Sequence, residues 1–207
     1  NTGPDVLKVA VVDDGPVAAG AVPSMTIAPK EVRAFAARAD ALLINLGTLD
    51  AEREHAIPVL LADVDTARQP VVLDPVFVEL SPLRQRLAQQ VLSKPGIILR
   101  GNEREMATLA DAASSSAIRI TTGAVDTVTF GATTVRIANG HPWMAKVTGL
   151  GCAAGALVAA CAAVEKDPVA AATAALVAVG LAGEIAAERS HGPGSFAACL
   201  IDAAASL

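Results

Sequence analysis

Short β-branched runs, each closed by a polar or turn residue and followed by a segment of helical spacing, recur along most of this 207-residue chain. No other feature constrains the fold as strongly. Val6 to Val12 reads as a strand, and the Gly-Pro and Ala-Val-Pro chemistry after Asp13 reads as a loop. Lys30 to Arg38 has helical spacing, and Ala41 to Thr48 reads as a buried parallel strand. Asp50 to Thr66 is helical, Pro70 to Leu73 is a strand ending at Asp74-Pro75, Leu83 to Leu92 is helical, and Gly96 to Leu99 is a strand ending at Arg100-Gly101-Asn102. Alternation of this kind means a parallel sheet covered by helices, an α/β fold.

The second half keeps the pattern with two variations. Glu103 to Ala113 reads as a short helix and Ala117 to Thr121 as a strand closed by Thr122-Gly123, with only Ser114-Ser115-Ser116 between them. A crossover normally takes a dozen or more residues, so this one is either unusually compact or lacks residues. Thr127 to Phe130 and Thr133 to Ile137 read as a hairpin around Gly131, the antiparallel edge of the sheet. Two Ala-rich helices flank the Lys166-Asp167-Pro168 turn, and a last helix follows the loop from Arg189 to Ser195.

The length fits one domain spanning residues 1–207. A net charge of −5 with no basic block argues against nucleic acid as a partner. A mean hydropathy of +0.48 with 18% charged residues is far too apolar for a disordered chain, and suits an oligomer. Cys152, Cys161 and Cys199 form no CxxC pair, and an odd count argues against a disulfide framework, so a reducing cytoplasm is expected. The stretches from Val147 to Val164 and from Pro168 to Gly183 are free of charge, but they consist mainly of Ala rather than Leu, Ile or Phe. They read as closely packed helices and not as membrane spans. The opening Asn-Thr-Gly-Pro-Asp has neither the basic nor the apolar part of a signal peptide.

In open parallel sheets the ligand lies beyond the carboxyl ends of the strands, where this chain places Asp74, Arg100, Asn102 and Thr122. Each alone is also an ordinary turn residue; their joint placement is what points to a site. Thr148-Gly149-Leu150-Gly151-Cys152 leads directly into an uncharged helix. Two glycines let a ligand approach the backbone, and the N–H groups of the first turn make an anion site over Gly149, Leu150, Gly151 and Cys152. The same field lowers the pKa of a thiol at Cys152, whereas Cys161 and Cys199 lie in apolar surroundings. Arg100 suits nucleotide phosphates, and Glu105 with Asp74 suits a hydrated magnesium ion; an ordinary charged helix start is the alternative. Thr122 to Asp126 fits a nucleotide contact or a plain turn equally. His55, His141 and His191 have no partners at metal or triad spacing and are assigned to structure.

One ordered set of motifs goes further: Gly20-Ala21-Val22-Pro23-Ser24-Met25, Asn45-Leu46-Gly47-Thr48, Leu73-Asp74-Pro75-Val76, Arg100-Gly101-Asn102-Glu103-Arg104-Glu105, Thr122-Gly123-Ala124-Val125-Asp126, Val147-Thr148-Gly149-Leu150-Gly151-Cys152 and Gly192-Pro193-Gly194-Ser195-Phe196. In this order the chain resembles the hydroxyethylthiazole kinases of the ribokinase-like superfamily. The resemblance implies a ribokinase-like three-layer α/β/α fold and ATP-dependent phosphorylation of hydroxyethylthiazole in thiamine salvage, with magnesium. It also implies a homotrimer with sites between subunits. By the same resemblance Met25 and Gly149 contact the thiazole alcohol, and Arg100, Asn102, Thr122 and Asp126 the nucleotide. Asp74 and Glu105 serve the magnesium, and Cys152 stands where related sugar kinases carry a catalytic aspartate. After Asp74-Pro75-Val76 this chain has Phe77-Val78-Glu79-Leu80, where the family runs to small, Gly-rich residues. A kinase for a related pyrimidine or pyridoxal alcohol, a noncatalytic binding descendant and, more distantly, a hydrolase are the competing readings.

Overall fold

The computed structural model describes the backbone of residues 8–11 and all of residues 21–207. Gly20, the turn at Gly15-Pro16, and the outer parts of the first strand lie outside the described residues. Eight strands form one sheet in the order β2-β1-β3-β4-β5-β6-β7-β8. They are β1 (Lys8–Val11), β2 (Val22–Ser24), β3 (Ala41–Asn45), β4 (Val71–Asp74), β5 (Ile98–Asn102), β6 (Ile118–Thr122), β7 (Asp126–Phe130) and β8 (Thr133–Ile137). All pairings from β2 to β6 are parallel; β6 with β7 and β7 with β8 are antiparallel, which makes the expected edge hairpin.

Strand alternation sorts the core into two layers. Leu42, Ile44, Val71, Leu73 and Leu99 point to one face, against helices α2 (Ala51–Asp63) and α3 (Pro82–Leu92), with the short α1 (Val32–Ala36) beside them. Leu43, Val72, Ile98 and Ile120 point to the other, where α5 (Leu150–Val164) and α6 (Pro168–Arg189) supply mostly Ala and Val. Small residues let these two helices lie close to the sheet, which is why Ala dominates them. The last helix, α7 (Pro193–Ala204), buries Phe196 and Leu200 against α6 instead of the sheet. α6 is long and apolar enough to cross a membrane, yet Ala171, Ala172, Ala175 and Leu176 on it are buried in the sheet-facing layer.

Two expectations are corrected. The segment behind Gly20 is not all loop, because Val22–Ser24 pairs with β1 in parallel register. Pro23 is tolerated there because β2 is an edge strand, whose outer side needs no N–H. The strand expected to stop at Leu99 runs on to Asn102, since β6 partners it residue by residue up to Thr122. The crossover between them does close in its short form: α4 (Glu103–Thr108) and two turns cover residues 103–117, and Arg119 donates to the Ala113 carbonyl at 3.1 Å.

Candidate active site

The carboxyl ends of β4, β5 and β6 meet the start of α5 at one place. Asp74 closes β4 and is only 3% exposed; its Oδ2 accepts from Arg100 Nη1 of β5 at 3.0 Å. Burial pushes the Asp74 carboxyl above its ordinary value, and repulsion from Glu105 adds to this, while Arg100 and the Val76 N–H pull the other way. Glu105, in the first turn of α4, is 6% exposed and accepts from Asn102 N and Phe77 N, both at 2.8 Å. Asn102 caps the same helix through its Oδ1, which accepts from Arg104 N and Glu105 N. The Arg-Gly-Asn-x-x-Glu run thus folds into a capping box that fixes a buried carboxylate beside Asp74.

Above these groups stands the start of α5. Gly149 adopts φ +84° as its N-cap, the left-handed region that glycine enters freely. No acidic residue occupies the first turn of this 15-residue helix, so its positive end stays uncompensated. A Cβ on Gly151 would lie 3.6 Å from Arg100 Nη1, and one on Gly155 would lie 3.5 Å from Asp74 Oδ2. These two glycines, one helical turn apart, let the ion pair sit directly beneath the helix. Cys152, half-buried, lies in that first turn.

A cavity of about 890 Å³ opens beside this point and is lined by Arg100, Asn102, Thr122, Asp126, Leu150 and Gly151 among others. Its far wall is the segment 138–146, which ends in a short 3₁₀ turn, Pro142–Lys146. Asn139 Nδ2 donates to the Val177 carbonyl of α6 at 2.9 Å, and Gly140 N to Glu184 Oε1 at 2.9 Å, so this wall is clamped to the helix. His141 belongs to the wall as a packing residue: its Nδ1 accepts from Trp143 N, and its ring packs edge-on to Trp143. His55 and His191 are exposed elsewhere.

Of the residues singled out by sequence, Arg100, Asn102, Thr122, Asp126, Leu150 and Gly151 line the cavity, with Asp74 and Glu105 buried beside it. Asp126 also accepts from Gly123 N at 2.8 Å and so holds its own turn. Met25, 51% exposed at the end of edge strand β2, is not part of the lining. Sequence reasoning assigned no part to Gly155 or to the wall around Asn139. Nor did it assign one to Asn45, whose Oδ1 accepts from Gly47 N while its Nδ2, buried one strand from Asp74, has no partner. The Arg100 Nε is likewise buried without a partner.

The profile of the hydroxyethylthiazole kinase family matches residues 8–117 and 110–207. The chain belongs to the hydroxyethylthiazole kinase family. The family profile is matched in two pieces that overlap at 110–117, within the compact crossover. A hydroxyethylthiazole kinase from Granulibacter bethesdensis is 44% identical over 211 aligned positions, covering 90% of this chain and 77% of the relative. The structure of a hydroxyethylthiazole kinase protein from Pyrococcus horikoshii OT3 superposes with a TM-score of 0.87 at 32% identity, covering 98% of this chain and 89% of that one. A ribokinase-like superfamily protein from Enterococcus faecalis V583 shares the fold at 16% identity, with a TM-score of 0.63 over 90% of this chain and 70% of its own. The family's kinase chemistry and its ribokinase-like α/β fold are therefore those of this chain.

Proposed function

We propose that this chain moves the γ-phosphoryl group of ATP to the hydroxyl of 4-methyl-5-(2-hydroxyethyl)thiazole in thiamine biosynthesis or salvage. One observation carries the reading: an uncompensated helix N-terminus stands over a buried Asp74–Arg100 pair at the edge of a cavity large enough for a nucleotide. Phosphoryl transfer asks a protein chiefly for positioning and charge stabilisation, and this arrangement supplies both. The anion site over Gly149, Leu150, Gly151 and Cys152 receives the phosphoryl group. Arg100, with Asn102, Thr122 and Asp126 along the cavity, holds the nucleotide. The Arg100 Nε supports this, as a buried donor left for an incoming acceptor.

Asp74 and Glu105 are suited to a hydrated magnesium ion. Asp74, paired with Arg100, and Glu105, held by two backbone N–H groups, bring two buried carboxylates together, and magnesium takes one or two carboxylates while keeping several waters. Among the described residues no three His, Cys, Asp or Glu gather, so Asp74 and Glu105 are the carboxylates that would hold the ion. When bound, it neutralises charge on the phosphate oxygens. Met25 and Gly149 contact the thiazole alcohol. Cys152 accepts the alcohol proton as a thiolate favoured by the helix end, and so adjusts the rate, while most of the stabilisation comes from the anion site. The working unit is a homotrimer with sites between subunits, in the cytoplasm.

The test is a coupled ADP-release assay with ATP, magnesium and hydroxyethylthiazole, run beside the hydroxymethylpyrimidine alcohol and on Cys152→Asp. Thiazole-dependent turnover exceeding that with the pyrimidine is expected, with Cys152→Asp retaining or raising it because a carboxylate base is restored. A faster rate on the pyrimidine alcohol would overturn the substrate, and silence with both from folded protein would leave only binding.

A further inference from the structure

We infer that Phe77 covers the path of phosphoryl transfer, keeping water from the γ-phosphoryl group of the bound nucleotide so that only the alcohol is phosphorylated. This rests on the kinase reading above. β4 stands in the middle of the sheet: β2, β1 and β3 lie to one side with Met25 and Asn45, and β5 and β6 to the other with Arg100 and Thr122. Phe77 follows three residues after Asp74 at the end of β4 and lines the same cavity as Arg100, Asn102 and Gly151. Phe77 N is bonded to Glu105, beside Asp74, so the ring stands at the end of the cavity where the two carboxylates, Arg100 and the start of α5 meet.

The chain holds Phe77 there at a cost. Its φ of +54° is the sole positive value at a non-glycine position among the described residues, a backbone state that bulky side chains keep only where their surroundings over-determine it. They do so here. Phe77 N donates to Glu105 Oε1 at 2.8 Å, and the Phe77 carbonyl accepts from Leu80 N at 3.1 Å. Arg84 donates to the Val76 carbonyl and, at 2.7 Å, to the Gly47 carbonyl of the neighbouring loop. Fixed in this way, the ring is 56% exposed at the cavity, while the next residue, Val78, is fully buried in the core. An aromatic ring kept out of an available core by a strained, well-anchored backbone is placed for what it faces.

The chemistry explains why an apolar group suits that position. In the wanted reaction the alcohol oxygen bonds to the γ-phosphorus, the bond from that phosphorus to the bridging oxygen breaks, ADP leaves with the electron pair, and the alcohol gives up its proton. Water attacks in the same way and yields inorganic phosphate, ADP and a proton. The two differ only in which oxygen attacks, so the enzyme selects between them by keeping water away. A ring without hydrogen-bonding atoms excludes water and offers an apolar face to the thiazole.

Phe77→Gly tests this, because glycine takes a φ of +54° freely and the fold should be kept, with a Tm equal to or above that of the parent. ADP release and thiazole phosphate are measured together, with and without the alcohol. ADP release without alcohol should rise on the order of tenfold in Phe77→Gly. The ratio of thiazole phosphate to ADP should fall well below one. Phe77→Leu, which keeps apolar bulk, should hold the ratio of thiazole phosphate to ADP closer to the parent's than Phe77→Gly does. If the parent shows no thiazole-dependent ADP release, the kinase reading falls and the cover with it. If the parent is coupled and Phe77→Gly is equally coupled, whether its turnover is kept or lost, the cover alone is overturned.

Discussion

Asp74 is a carboxyl that its own burial disfavours as a charge. It is buried, its ion-pair partner is Arg100, the charge of nearby Glu105 opposes it, and burial raises its carboxyl above the ordinary value of 3.8. A group whose pKa is higher in the folded chain favours folding most below its ordinary pKa, and that contribution is lost as pH rises through the raised value. Asp74→Asn removes this dependence, since an amide fills the same space without titrating. Thermal unfolding measured from pH 4 to pH 7 should therefore show the Tm of the parent falling relative to that of Asp74→Asn as pH rises. A difference that widened in favour of the parent would mean that Arg100 outweighs burial and that the carboxylate is more stable inside than in water. Turnover of Asp74→Asn at neutral pH should drop about 10²-fold or more, because a charge placed for the transition state is gone. Stability and activity thus ask opposite things of this residue, as expected where a site keeps a charge that folding alone would not.

At the scale of elements, the contact that shapes the cavity is the one between α6 and the wall at 138–146. A Cβ on Gly180 would come 2.5 Å from the Asn139 amide, and one on Gly183 would meet Met144 closely. Glycine inside a helix costs up to about 1 kcal/mol against alanine, and α6 bears this twice to let the wall approach. Gly180→Ala gains that propensity but must displace Asn139 from its bond to Val177, an overpacking cost of about 1–3 kcal/mol. We expect a lower Tm and a raised KM for ATP, whereas Gly194→Ala in α7, where a Cβ would meet nothing within 4 Å, should be neutral or stabilising by up to about 1 kcal/mol. A more stable Gly180→Ala with an unchanged KM would show that the wall yields freely. This packing was not legible in the sequence, because Asn139 and Gly180 lie far apart along the chain and each looks ordinary alone. The ends of β4 and β6 were legible, since Asp74 and Thr122 interrupt apolar runs, and so was the α4 cap, whose Asn-x-x-Glu spacing is local. β2 was missed because Pro23 reads as a turn until the strand is known to lie at an edge. The left-handed backbone of Phe77 leaves no mark in the residue order, because it is held by a hydrogen bond donated to Glu105, distant in sequence, and by the one that Arg84 donates to the neighbouring Val76 carbonyl.

For the whole molecule, the sheet order raises a question that one chain answers poorly. Met25 sits at the end of β2, four strand positions from Arg100 on β5, roughly 19 Å at the usual spacing between strands. Val22 and Met25 are both about half exposed on this edge, 52% and 51%. An apolar edge strand left open is a liability that chains normally cover or blunt. A second copy seated on β2 would cover Val22 and bring Met25 to the mouth of a neighbouring site, which is how a trimer with sites between subunits makes use of this edge. Sedimentation at assay concentration should then give three times the 20.8 kDa chain mass. Val22→Asp places a charge on that edge, away from the buried core and the cavity. It should shift the mass toward the single chain and lower thiazole turnover together, with the far-ultraviolet spectrum unchanged. A parent that sediments as a monomer while turning over thiazole at full rate would show that Met25 acts within its own chain or not at all, and that the open edge of β2 has another use.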